Sequence, residues 1–260
     1  MAINDFRSVL TTLERYQPDE IYNLAGQTSV GLSFEQPLET MESIAGGTLN
    51  LLEAIRTVGR PVRLYNAGSG ECYGDTQEDA NEETPFRPRS PYAVAKASAH
   101  WLVRNYRESY QLFACNGILF NHESPLRPAR FVTQKIVSSA RQIAAGNGQK
   151  LHLGNIHIQR DWGWAPDYVE AMWRILRMEK PDDFVIATGR TVSLEYFIRK
   201  VFENFALDWH DHVVTDPTLL RPSDILCSRA DPSKAHRVLG WRHQADIDEV
   251  IVRMCNAARE

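Results

Sequence analysis

Two short stretches hold the side chains with chemistry to offer. "YNAGSGECYGDT", Tyr65 to Thr76, leaves the apolar run "PVRLY" and sets a hydroxyl, Ser69, next but one to a carboxylate, Glu71, among glycines. "PYAVAK" places Tyr92 and Lys96 four residues apart. On a helix that spacing puts both side chains on one face, about one turn apart. An ammonium beside a phenol lowers the phenol pKa, which makes Tyr92 an acid or base nearer neutral pH. The bare spacing is weak, because surface helices carry it by chance, and a Ser-Gly-Glu turn in isolation reads as a polar turn after a strand. Together they say more: a strand-end hydroxyl and a Tyr/Lys helix can face one crevice.

The elements that must position these groups follow a strand–helix rhythm. "EIYNLA" (Glu20–Ala25) reads as a strand, and "TMESIAGGTLNLLEAIRTVG" as one helix with Ile44, Leu51, Leu52 and Ile55 on one side and Gly59 as its stop. "VRLYNA" (Val62–Ala67) is the next strand, followed by a long helix capped by Ser90 with Pro91 in its first turn. "FACNGILFN" (Phe113–Asn121) closes the series as a buried strand. Short joins between alternating elements predict a parallel sheet with right-handed crossovers. Later come helices at Phe131–Ala145, Asp167–Met178 and Ser193–Phe205, strands "KLHLG" and "DFVIAT", and closing helices near Pro232–Leu239 and Ile247–Ala258. This half reads as a smaller lobe over the carboxyl ends of the strands, where ligands bind in such sheets.

The bulk numbers narrow the class. The chain has 260 residues, 43% hydrophobic and 24% charged, which is an ordinary globular composition. A formal charge of −4 and a pI near 6.1 give no electrostatic case for nucleic acid or an anionic membrane. No apolar run approaches the roughly 20 residues of a membrane span, and "MAINDFRSVL" is no signal peptide, so the cytoplasm is expected. Cys72, Cys115, Cys227 and Cys255 have no metal-ligand spacing. A reactive Cys72 is conceivable, but nothing nearby activates it, and a packed thiol is expected.

The Ser, Tyr and Lys constellation resembles the extended, nucleotide-sugar-modifying branch of the short-chain dehydrogenase/reductase superfamily. "NHESPLRPARFVTQKI", "LGNIHIQRDWGWAPDYVEAMW", "DDFVIATG" and "DPSKAHRVLGW" are similar to the GDP-mannose 4,6-dehydratase family, in the same order, from about residue 5 to the C-terminus. The resemblance implies a reaction that oxidises the sugar at C4 by hydride transfer to NADP, removes water across C5 and C6, and returns the hydride to C6. It implies that Glu71 is the base at C5 and assists loss of the C6 hydroxyl. Ser69 would hydrogen-bond the C4 oxygen, Tyr92 would take the C4 hydroxyl proton, and Lys96 would hold the nicotinamide ribose and depress the Tyr92 pKa. The family commonly has Thr-Ser-Glu or Ser-Ser-Glu where this chain has Ser69-Gly70-Glu71. Glycine there removes one possible hydrogen bond and loosens the backbone.

Further positions carry over. Leu24, Ala25, Gln27, His122 and Arg127 would join Tyr92 and Lys96 around NADP, and Asn121, Lys135, Asn155, Arg160 and Arg221 would bind GDP-mannose. Arg160 and Arg221 match arginines on the diphosphate, where a planar guanidinium suits phosphate oxygens. A lone His122 would read as structural, and an arginine beside Asp161 as a surface ion pair. Trp162, Trp164 and Trp173 read as core packing rather than base stacking. The helices Thr40–Val58 and Tyr92–Tyr110 occupy the superfamily's dimer positions, so a homodimer or higher homo-oligomer is expected.

Such enzymes begin with a strand, a glycine-rich turn and a helix that receives the pyrophosphate. Here the early pair Gly46-Gly47 lies inside a helical pattern, and by motif order "EIYNLA" is the fourth strand. The expected fold is therefore α/β: a Rossmann-type parallel sheet, N-terminally truncated, with a smaller C-terminal substrate-binding lobe. Residues 1–125 form the partial NADP-binding part; residues 126–260 form mainly the GDP-sugar lobe, with some segments returning to the sheet. Deleting strands 1 to 3 makes "EIYNLA" a sheet edge. A mis-started or truncated reading of a longer gene, a shortened homologue completed by another chain, and a GDP-sugar-binding module without catalysis all fit. A related GDP-sugar reductase or epimerase is the other enzyme reading, but it has no need of Glu71.

Overall fold

The computed structural model describes residues 1–146 and 149–257. Four parallel strands build the main sheet, in the order β1 (Glu20–Asn23), β2 (Arg63–Ala67), β3 (Ala114–Leu119) and β7 (Phe184–Ile186). Side chains alternate across it. Leu64 and Ala114 meet Val9 and Leu13 of α1 (Phe6–Tyr16), Leu51, Leu52 and Ile55 of α4 (Gly47–Val58), and Val103 and Tyr106 of α5 (Pro91–Tyr110). Tyr65, Cys115 and Ile186 face the other way, onto Tyr168, Ala171 and Ile175 of α7 (Ala165–Ile175) and onto Trp241. Strands buried on both faces need near-continuous apolar runs, and "VRLYNA" and "FACNGILF" supply them.

Register across β1, β2 and β3 is fixed by a row of asparagines. Asn23, Asn66 and Asn116 are direct partners in the ladder. Asn23 Nδ2 donates to Asn66 Oδ1 and Asn66 Nδ2 to Asn116 Oδ1, both at 3.0 Å. Asn116 Nδ2 donates in turn to Asp183, which Arg107 grips from α5 at 2.7 Å. A one-residue slip would unpair the whole row inside the core.

The smaller lobe has its own strands and core. β4 (Asn121–Glu123) pairs with β6 (Gln159–Trp164), which also pairs with β8 (Thr191–Ser193) and β10 (Cys227–Ser228); β5 (Leu151–Leu153) pairs with β9 (Val213–Thr215). Ile136, Val137 and Ala140 of α6 (Val132–Ala144), Phe197 and Val201 of α8 (Leu194–Asn204), and Val250 and Ile251 of α9 (Ile247–Asn256) close over Trp162. β7 returns from this half of the chain to the main sheet.

Several expectations are corrected. The segment Thr40–Val58 is helical throughout, as expected, but not uniformly α: α3 (Pro37–Met41), which follows α2 (Val30–Glu35), passes through a π turn at Glu42–Gly46 into α4. The pair Gly46-Gly47 sits at that junction, where Gly47 gives Ile3 room against α4. Helix α1, unexpected from sequence, packs against α4. The stretch Phe113–Asn121 is not one strand either: Phe120 is buried between β3 and β4, which lie in different sheets. "QRDWGW" is strand β6. Trp162 is core, but Trp173 is 51% exposed under Arg177, not packed inside. The closing helices shrink to a π turn at Ala235–Leu239 and to α9, and Ala258 lies outside the described residues. Among the described residues no helix is long and apolar enough to cross a membrane.

Candidate active site

The carboxyl ends of β2, β3, β4 and β6 open into one cleft of about 550 Å³. Beyond Ala67 the chain leaves β2, and Ser69 caps a tight turn over Gly70–Tyr73, its Oγ accepting from Glu71 N at 3.2 Å. The turn ends at Gly74, whose φ of +70° and approach to the Arg87 carbonyl leave no room for a side chain. Gly70 packs closely against the core: a Cβ there would meet the Phe120 ring at 3.0 Å, and the ring would have to give by a few tenths of an ångström. Ser90 caps α5 by accepting from Ala93 N at 3.1 Å, which sets Tyr92 and Lys96 in the first turns.

Ser69, Tyr92 and Lys96 are all buried, and the Ser69 hydroxyl acts on the Tyr92 phenol so as to lower its pKa. Lys96 Nζ donates to the Ala67 carbonyl at 2.7 Å and stands 5.9 Å from the centre of the Tyr92 ring. The expected depression of Tyr92 by Lys96 is not what the site shows. Burial holds the phenol well above its usual pKa, with the Ser69 hydroxyl opposing, and burial pulls Lys96 down to about 8.

Glu71 faces two arginines. Arg160 on β6, 4% exposed, brings Nε to 4.0 Å from Glu71 Oε1 and Nη2 to 3.6 Å from Asp224; Arg221 lies 3.6 Å from the same Asp224 oxygen. Burial raises the Glu71 pKa, and Arg160 and then Arg221 oppose it. Among the described residues Arg160 makes one hydrogen bond, from Nη1 to the Gln159 carbonyl at 2.9 Å, so the guanidinium keeps donors for an anion in the cleft. Asp75 anchors the segment that carries Arg221 and Asp224 into β10 by accepting from Leu226 N and Cys227 N.

On the opposite wall His122 Nδ1 bonds the Phe120 carbonyl at 2.8 Å and its ring stacks on Tyr168. Burial pulls its pKa to about 4, so the ring is neutral near pH 7. Leu24, Asn121, Arg127, Lys135 and Asn155 also line the cleft. Lys135 Nζ donates to the His152 carbonyl at 2.6 Å, and Asn155 Oδ1 accepts from His157 N at 2.9 Å. Ala25 and Gln27 are not brought to it. Gln27 Nε2 is spent on the Ser29 carbonyl and on Thr40, which shape the loop after β1. Sequence reasoning missed Glu123, Thr133 and Asp224, which line the cleft too. The R-x-x-D spacing of Arg221 and Asp224 and the acid following Asn121-His122 were signals available for them. Cys72 is buried with its thiol pushed up to about 12, a packed side chain.

Two features fit the nicotinamide half of NADP. Lys96 is anchored at the strand end through one donor and keeps two more, and the Ser69–Tyr92 pair faces a cleft walled by a neutral His122. Residues 1–254 match the family model described as GDP-mannose 4,6 dehydratase. The chain belongs to this family. GDP-mannose 4,6 dehydratase 2 of Arabidopsis thaliana is 47% identical over 97% of this chain and 69% of its own length. The GDP-mannose 4,6-dehydratase of Sinorhizobium fredii (strain HH103) is 43% identical over 97% of this chain and 78% of its own. Among solved structures, RMD from Pseudomonas aeruginosa complexed with NADPH superposes with a TM-score of 0.88 at 25% identity, covering 98% of this chain and 86% of that one. That structure and this chain thus share one fold, a Rossmann-like parallel sheet.

Proposed function

We propose that this chain is an NADP-dependent dehydratase that converts GDP-mannose to GDP-4-keto-6-deoxymannose and water. The observation that carries the reading is one cleft holding a hydroxyl–phenol pair, an anchored lysine and a carboxylate between two arginines, in a chain of this family. Bound NADP supplies the oxidant at C4 and returns the same hydrogen to C6. Burial keeps the Tyr92 phenol protonated, so Tyr92 must first release its own proton to solvent through the cleft, a step the Ser69 contact favours. It then accepts the C4 hydroxyl proton, and Ser69 holds the C4 oxygen against it. Lys96 holds the cofactor ribose. A ketone at C4 acidifies the C5 hydrogen, so Glu71 removes that proton and passes it to the departing C6 hydroxyl, which leaves as water. Once the hydrogen has returned to C6, C5 takes a proton back by way of Glu71, and in the overall balance that proton replaces the one Tyr92 took from the C4 hydroxyl. Because burial raises the Glu71 pKa, turnover is lost on acidification through that raised value. Arg160 and Arg221 take the diphosphate, and Asn121, Lys135 and Asn155 the rest of the GDP-sugar.

The same reading assigns residues 1–125 to the cofactor side and 126–260 mainly to the GDP-sugar, with the cytoplasm as its compartment. It also gives the chain a homodimer through α4 and α5, whose outer faces expose Leu49, Val94 and Trp101. Conversion of GDP-mannose by Glu71→Gln tests the core of the proposal. Elimination should fall at least about a hundredfold, the scale of a lost general base, with GDP affinity unchanged. A Gln variant that still dehydrates would show that another group takes the C5 proton.

A further inference from the structure

Glu123 is a carboxylate that the reaction above does not use. It follows Asn121 and His122 on β4, lines the cleft and is 1% exposed. One of its oxygens meets two groups from separate elements. Thr133 Oγ1, in the first turn of α6, donates to Oε2 at 2.7 Å, and Arg127 Nε lies 3.0 Å from the same atom. The arginine nitrogen is out of line for a hydrogen bond, so that contact is chiefly one of charge. Arg127 then donates through Nη1 to the His122 carbonyl at 3.2 Å and lies over the Phe131 ring, 4.0 Å from its centre. Phe131 precedes α6 and gives that helix no side-chain cap. One carboxyl, just before the loop spanning residues 124–130, therefore ties the middle of that loop at Arg127 to the helix that follows it at Thr133.

Holding a charge there is costly. Burial pushes the Glu123 pKa up to about 7 against the pull of Arg127 and Thr133. A glutamine would fill the same volume and still accept from Thr133, so packing alone does not call for a carboxylate. We propose that Glu123 is the positioning residue of this wall: its charge fixes the Arg127 guanidinium and the 124–130 loop against β4, which presents His122 and Arg127 to the dinucleotide. The assignment of that ligand rests on the function proposed above.

The test uses the full chain with Glu123→Gln, Arg127→Met and the double variant, at pH 8. Amide hydrogen exchange of residues 124–131 is followed without ligand, alongside NADPH fluorescence titration, GDP titration and thermal unfolding. Glu123→Gln should speed loop exchange and weaken NADPH binding by about tenfold each, with GDP affinity and the unfolding temperature little changed. Arg127→Met should do the same, and the double variant no more than either. Wild-type exchange in the Gln variant, or losses that add in the double variant, overturns the proposal. If the wild-type chain binds no NADPH, the cofactor reading fails by itself, and the exchange measurements still decide the role of Glu123.

Discussion

At Tyr92 and Lys96 burial outweighs the neighbouring charge. Pairing the two by spacing alone leads one to expect a lowered phenol, whereas the structure spends the ammonium on the Ala67 carbonyl and buries the ring. His122 shows the same rule in a form that can be titrated. Its folded pKa of about 4 lies below the ordinary histidine value near 6.5, because burial disfavours the charged ring. The unfolded chain therefore takes up the proton first as the pH falls. His122 costs nothing above about pH 6.5, and stability is lost between there and pH 4, by no more than about 3 kcal/mol. Urea unfolding of wild type and His122→Gln from pH 8 to 4 should give curves that diverge across that window. Parallel curves would mean that the ring is already charged in the folded state.

The element scale is where the asparagine row acts. "YNLA", "YNAG" and "CNGI" each carry an asparagine within an apolar run, a repeat that reads as three unrelated polar residues until the strands are laid side by side. Replacing Asn66 with Ala removes an acceptor from Asn23 and a donor to Asn116. Each buried group left unpaired costs about 1–3 kcal/mol, so Asn66→Ala should lose about 2–4 kcal/mol in urea unfolding. A loss under about 1 kcal/mol would indicate that the row is not coupled. "QRDWGW" was legible as a motif but not as strand β6, because its arginine and aspartate both point into protein: Arg160 into the cleft, Asp161 onto Thr188 and Gly189. Period-2 alternation fails where both faces are buried and two of six residues, side by side, are charged.

For the molecule as a whole, two apolar surfaces remain uncovered among the described residues. β1 stands at one end of the main sheet with Tyr22 and Leu24 exposed, as expected of an edge. The outer face of α5 carries Trp101, 53% exposed, beside Arg104, which lies 5.5 Å from the ring centre. If α4 and α5 form the dimer contact, a charge at that tryptophan desolvates without a partner. Trp101→Glu should then halve the mass seen by light scattering and leave the far-ultraviolet dichroism intact. An unchanged mass would move the interface away from α5.

Most strands and helices of the main sheet, and the residues around the cleft, followed from periodicity, caps and the motif resemblance. These are local or short-range signals: a run of apolar residues, a Ser before a Pro, a tyrosine one turn from a lysine. What the tertiary structure decided lies between distant residues. It chose which wall receives Arg160 and Glu71, placed Gln27 in a loop instead of the cleft, exposed Trp173, and gathered Glu123, Arg127 and Thr133 about one buried oxygen. Pairing and desolvation are set by neighbours far apart in the chain, and those neighbours exist only once the sheets and helices have packed together.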